Sequence, residues 1–209
     1  MIMSTQVVEG GSPGTTQLTV RGKITAAGAT VDHVQYLSER FVLTEMGTTT
    51  TIHAAELGGR FVVDTASQRL RRVTTSPDDI QISHLREIIG EVDIHRDPVM
   101  VERSGFICRR YRVCNDSTRI VISAEAFCAR IDAVGRTALH AERMFEAALH
   151  PLALPLDPDE LVIGSTTRTY ANNYQHLQSY TLTSLTETIE DPERIQAYLS
   201  FPVETDGMS

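Results

Sequence analysis

Along most of the chain, apolar and polar residues alternate in short runs bounded by glycine, asparagine or proline, the pattern of half-buried β-strands. A strand is expected over "QLTVRGKI" (17–24) and a longer β-prone run over "VDHVQYLSERFVLTEM" (31–46). In "TTTIHAAELGGRFVVDT" (49–65), Gly58-Gly59 separates two β-prone segments and predicts a two-residue hairpin turn with positive φ. "QRLRRV" (68–73) continues that meander. Further on, "GFICRRYRV" (105–113) and "TRIVISAE" (118–125) predict two strands joined through Asn115-Asp116. "LVIGSTTRTYAN" (161–172) and "YQHLQSYTLTSLTETI" (174–189) predict two long ones.

Three segments change period. "SPDDIQISHLREIIG" (76–90) reads as a helix, with Ser76 as cap, Pro77 at the first position, an Ile82, Leu85, Ile88, Ile89 stripe, and Gly90 as terminator. A longer helix is expected over about 125 to 150, where Phe127, Ile131, Val134, Ala138, Ala141, Phe145 and Ala148 step by four and three. "DPERIQAYL" (191–199) is a short closing helix with Asp191 as cap. The expected fold is α+β, mainly antiparallel β. Long strands curl, so the sheet is expected to form a strongly curved incomplete barrel, its mouth covered by the two amphipathic helices. Such a shape has an interior able to hold an apolar ligand. Residues 1–16 are expected to be a flexible arm, 17–203 a single domain and 204–209 a flexible tail.

Composition narrows the partners. The net charge of −8 is spread along the 209 residues with no basic run, which argues against nucleic acid, whose phosphates need a concentrated cationic face. "RLRRV" (Arg69, Arg71, Arg72) is the densest positive spot and reads as a solvated strand edge or a small anion site. Lys23 is the single lysine, leaving one candidate nitrogen for Schiff-base chemistry. No apolar stretch approaches the roughly 20 residues of a membrane span. The first residues lack the charged and apolar regions of a signal peptide, so a cytoplasmic location is expected if Met1 is the native start. GxGxxG, GxxxxGK and GxSxG patterns are absent, and no cofactor is expected.

The cysteines do not read as a metal site or a disulfide. Cys108 and Cys114 lie six residues apart in one expected strand, about 20 Å at ~3.3 Å per residue. A disulfide needs Cα atoms within about 7 Å. Cys128 falls at the start of the expected long helix. Free thiols packed as small apolar groups are the main reading, with Cys114, near several arginines, as the candidate nucleophile. No histidine pair has metal spacing. His84 lies near Glu87, and His140 and His150 read as solvated, whereas His53 and His176 sit in β-runs among threonines, as general bases or as hydrogen-bonded strand histidines. Tyr174, His176 and Tyr180 alternate onto one strand face, and Tyr36 and Arg40 onto another. The candidate catalytic residues are His176, Tyr180 and His53. The candidate ligand-binding residues are Tyr36, Arg40, Tyr174 and Tyr170, and aromatic cross-strand packing is the alternative for the tyrosines.

The order of these pieces resembles a family. "VQYLSERFVLTEMGTTTTIHAAELGGRFVVDTASQRLRRV" is similar to the first half of LolA-like β-clam proteins, particularly those with a DUF4412-type domain. "SGFICRRYRV" resembles a G-[aromatic]-x-C-x-x-[aromatic] strand at the middle of such chains, and "SLTETIEDPERIQAYLSFPVE" their closing strand. The resemblance covers roughly residues 17 to 203. It implies a half-barrel whose cavity carries acyl chains or lipoproteins. Two functions follow for an apolar, lipid-like or polyketide-like small molecule: a cofactor-independent cyclase or isomerase, or a non-catalytic carrier. The chain shows no export signal or lipobox cysteine near its start, which tilts the expectation toward the enzyme.

Overall fold

In the computed structural model, residues 16–73, 84, 87–131, 139, 143, 154–172 and 174–204 are described. They form twelve strands: β1 (Thr16–Ala26), β2 (Ala29–Leu37), β3 (Phe41–Met46), β4 (Thr49–Ala54), β5 (Gly59–Asp64), β6 (Arg69–Arg72), β7 (Val92–Arg103), β8 (Phe106–Asn115), β9 (Ile120–Arg130), β10 (Glu160–Ala171), β11 (Tyr174–Ile189) and β12 (Val203–Glu204). All belong to one open sheet in the order β12-β6-β5-β4-β3-β2-β1-β11-β10-β9-β8-β7. Two meanders, β1 to β6 and β7 to β11, are stitched together where β1 lies antiparallel to β11, Thr16 opposite Ile189. Only β12 runs parallel to its neighbour, β6.

This corrects the expected half-barrel with two helical lids. The sheet is not closed, and the helices described in full are two short ones, the 3-10 turn Ala55–Leu57 and the helix Pro192–Leu199. Of the helix expected over 76–90, positions 84 and 87–89 are helical, Gly90 ends it at φ +75° as expected, and the others lie outside the described residues. The helix expected over 125–150 fails at its start. Residues 125–130 continue β9, held by β8 on one side and β10 on the other. Ladder pairing on both edges overrides the four-three spacing that starts at Phe127, and Ala126 and Cys128 are buried instead. Positions 139 and 143 are helical, and the rest of that segment, with His140 and His150, lies outside the described residues. So do the expected arm and tail, apart from Thr16, which starts β1, and Glu204, which ends β12.

Two further expectations are corrected locally. The β4–β5 turn runs through residues 55–58, with Gly58 at φ +63°, while Gly59 is already the first residue of β5. "VDHVQYLSERFVLTEM" is two strands, because Ser38, whose hydroxyl accepts from the Arg40 and Phe41 N–H groups, turns the chain between them. Strand β7 has no counterpart among the sequence expectations. It is charged and contains Pro98, which an edge strand tolerates at an irregularity. The register shifts between Arg96 and Met100, and Asp97 turns inward to Arg112 and Arg110. Those guanidiniums hold its carboxyl below the usual carboxylate range. A bulge with an inward charge blunts a sheet edge against pairing with another chain.

Burial follows from alternation. Phe41, Leu43, Ile52, Phe61 and Leu70 make a core under the helix Pro192–Leu199, which contributes Ile195. That helix is capped by Asp191, which accepts from the Arg194 N–H, with Pro192 in its first turn. A second core joins Leu18, Val20 and Leu37 to Leu161, Ile163 and Leu182. A third packs Tyr111, Ala126 and Cys128 against Leu154 and Leu156, which precede β10. The last two flank the site.

Candidate functional site

On one face of the sheet's centre lies a cavity of about 300 Å³. Register explains which side chains reach it. Gly22 and Ile24 of β1 stand opposite His33 and Val31 of β2, and Ile24 also stands opposite Tyr180 of β11. Tyr180 in turn faces Ser165 of β10, and Gln178 faces Thr167. Alternation therefore turns His33, Gln35, Ile24, Tyr180, Gln178 and Ser165 to a common side, and all six line the cavity. Leu154, Leu156, Leu161 and Val162 supply an apolar wall, joined by Leu139 and Arg143. A second hollow of about 480 Å³ shares Leu154, Val162, Ser165 and Gln178 and continues toward Ile120 and Ile122.

Tyr180 lies against two glycines, each at a register shift. One shift falls between Arg21 and Gly22, the other between Val162 and Gly164. A Cβ on Gly22 would stand 2.7 Å from both Cζ and the hydroxyl oxygen of Tyr180, and one on Gly164 would stand 3.4 Å from its carbonyl oxygen. Bulges re-aim side chains. Here one coincides with Gly22, which leaves room for the ring, and the other with Gly164, which lies against the Tyr180 main chain. Against that ring stands His33, edge to face, with centroids 5.6 Å apart and planes at 86°.

Burial makes both groups neutral over a wide pH range. It pushes the Tyr180 phenol up to about 12 and the His33 imidazole below its ordinary value, since each charged form would lose hydration. His33 Nδ1 is buried with no hydrogen-bond partner. Such an orphan costs free energy that a bound ligand or water can return.

The apolar wall is strapped down by charge. Glu160, 1% exposed, accepts from the Tyr111 hydroxyl (2.8 Å), Arg109 (2.9 Å) and the Asp157 N–H (3.1 Å). Asp157 pairs with Arg96 at 2.8 Å and Arg130 at 3.2 Å, and its main-chain oxygen accepts from Arg143. Burial, then the Glu160 hydrogen bond, raises the Tyr111 phenol far above its usual value. The network fixes the segment that carries Leu154 and Leu156 into the cavity.

Of the sequence candidates, Tyr180 lines the cavity. Tyr174 and His176 share its face of β11, with His176, opposite Thr169, about 13 Å farther along at ~3.3 Å per residue. Tyr174 is exposed, and Tyr170 is exposed on the other face of β10. Tyr36 also points to the opposite side from its neighbours His33 and Gln35. It packs under the Arg194 guanidinium and donates to Glu45. Arg40 shares no strand face with it, because β2 ends at Leu37. Arg40 pairs instead with Glu56 at 2.5 Å. His53 stands on β4 opposite Val42 and Arg60, with three strands between it and β11. The sequence reading missed His33, Gln35, Ser165 and Gln178. Alternation within "VDHVQYL" was the available signal for the first two.

The cysteines are free. Cys108 and Cys128 are buried and Cys114 exposed, and Cys128 lies in β9, not at a helix start. A concavity of about 580 Å³ on the other face of β8 to β10 is lined by Cys114, Arg112, Ser123 and Arg168 with His95 and Asp93. It is the larger hollow, but its floor is exposed sheet surface crossed by ion pairs. Among the described residues no three metal-binding side chains gather, and no helix is long and apolar enough to cross a membrane.

No family model matches the chain, so the DUF4412-type resemblance has no match behind it, and no curated protein matches. Among solved structures the chain is similar to PNGF-II, at 9% identity and a TM-score of 0.45, over 92% of this chain. The chain spans about a third of that protein's length, 31%. It is also similar to a DUF1329 family protein from Desulfovibrio piger, at 11% identity and a TM-score of 0.31, over 86% of this chain and 88% of that one. Both superpositions are loose, and the fold described above rests on strand order and register alone.

Proposed function

We propose that this chain binds a small molecule with an apolar body and a polar end in the cavity between His33, Tyr180 and the Leu154–Leu156 segment. The observation that carries this reading is the way Tyr180 is seated. The bulge at Gly22 leaves space that the Tyr180 ring fills, on the floor of a hollow whose facing wall is leucine and valine. Apolar walls with a few convergent polar groups are the general form of ligand sites. The neutral naphthyl ketone prodan tests it. Saturable one-to-one fluorescence enhancement, weakened about tenfold or more by Leu156→Arg, is the expected result. Unsaturable binding, or equal binding by the variant, rejects the reading.

A second reading, cofactor-independent isomerisation or cyclisation, is favoured by the His33–Tyr180 pair. A neutral imidazole can take a proton from carbon next to a carbonyl while the phenol hydrogen-bonds the developing enolate oxygen, and the imidazolium then returns the proton to another carbon. His176 and Tyr174 extend the same face toward solvent and would guide the ligand. A carrier leaves its ligand unchanged. An enzyme loses ~10-fold to 1000-fold in turnover on Tyr180→Phe.

A further inference from the structure

We infer that the polar end of the molecule held in this cavity is a neutral oxygen group, a hydroxyl or a carbonyl, and not a carboxylate, phosphate or amine. The inference rests on the proposed binding reading and specifies its ligand. Every hydrogen-bonding side chain turned toward the cavity from the sheet is uncharged: Gln35, Ser165, Gln178, Tyr180 and His33. Charging either ring to meet an ionic ligand would work against the burial that keeps it neutral. A cationic end would find no carboxylate, since none lines the cavity among the described residues. The one fixed charge among the described lining residues, Arg143, donates to the main-chain oxygen of Asp157. That bond makes the guanidinium part of the strap on the apolar wall.

Neutral oxygen suits what remains. The Tyr180 hydroxyl has no hydrogen-bond partner among the described residues and, held protonated, can donate to a ligand oxygen. A ligand hydroxyl can donate in turn to the Gln35 or Gln178 side-chain carbonyl or to the imidazole. Seated against the Tyr180–His33 corner, such a group replaces lost water contacts without adding a charge to a partly dry site.

Titrations of the wild-type chain with 2-naphthol, naphthalene and 2-naphthoate near pH 7.5 decide the matter, because the three share a body and differ only in the polar end. The expected order has 2-naphthol binding about tenfold more tightly than naphthalene, the worth of one or two neutral hydrogen bonds, and more tightly than 2-naphthoate. Tyr180→Phe should bring 2-naphthol down to naphthalene's level and leave naphthalene unchanged. If 2-naphthoate binds as tightly as 2-naphthol or more so, or 2-naphthol gains nothing over naphthalene, the inference is overturned while the binding reading stands. Saturable binding of none of the three overturns both. The wild-type ranking decides the question even if the variant does not fold.

Discussion

The ring of Tyr180 occupies the space that a side chain on Gly22 would need, and a Cβ there would lie 2.7 Å from the phenol oxygen. Gly22 is therefore part of the site although it offers no functional group. Gly22→Ala should destabilise the protein by roughly 1–3 kcal/mol, the cost of overpacking a filled position. In a Tyr180→Ala background the same change should cost little. A double-mutant cycle in urea measures the coupling, and an additive result would show that the ring moves aside freely.

Glu160 and Asp157 share one network but differ in burial, so their removal should differ in size. Glu160→Gln strips the charge that compensates Arg109, which is itself mostly covered. A loss of roughly 3 kcal/mol is expected, as for breaking buried ion pairs. Asp157→Asn acts on a carboxylate whose side chain is 36% exposed and should cost much less. Denaturant midpoints compare the two, and equal effects would contradict the burial argument.

His33 makes stability depend on pH in a defined direction. Burial lowers its folded value, so the unfolded chain takes up the proton first as pH falls below about 6.5. The contribution is intact above that pH, declines as pH drops toward the folded value, and then levels off. The fall in melting temperature between pH 7.5 and 5.5 should be smaller for His33→Gln than for wild type. An identical fall would place the titration elsewhere.

The three thiols should react in two classes. Cys114 is exposed, whereas burial pushes the Cys128 thiol up to about 12 and raises that of Cys108 as well. Only thiolates react fast. A thiol reagent should label one site quickly in the native chain and three after unfolding, and Cys114→Ser should remove the fast phase. Fast labelling in that variant would mean that β8 or β9 opens.

Gly58 and Gly59 should also separate. Gly58 holds φ +63°, so Gly58→Val should cost on the order of 1 kcal/mol or more. Gly59 starts a strand, where the nearest atoms to a Cβ are those of the Arg72 guanidinium at an ordinary 3.6 Å, so Gly59→Val should be near neutral. Equal melting temperatures for both variants would move the turn elsewhere.

The sequence by itself determined the β-character of the chain, the two long late strands, the capped closing helix and the common face of Tyr174, His176 and Tyr180, since each follows from alternation or from a local cap. It could not disclose β7, because charge and Pro98 are acceptable only once the strand is known to be an edge. Nor could it hold the expected helix back beyond Arg130, because residues 125–130 take their conformation from β8 and β10 and not from their own spacing. The site depended most on tertiary structure. His33 and Tyr180 are 147 positions apart in sequence and meet only because β1 runs between β2 and β11, with a bulge at Gly22 that turns the phenol toward the imidazole. Alternation along one strand says which residues share a face. Which strands lie side by side, and hence which faces meet, is decided by long-range pairing that no local pattern encodes.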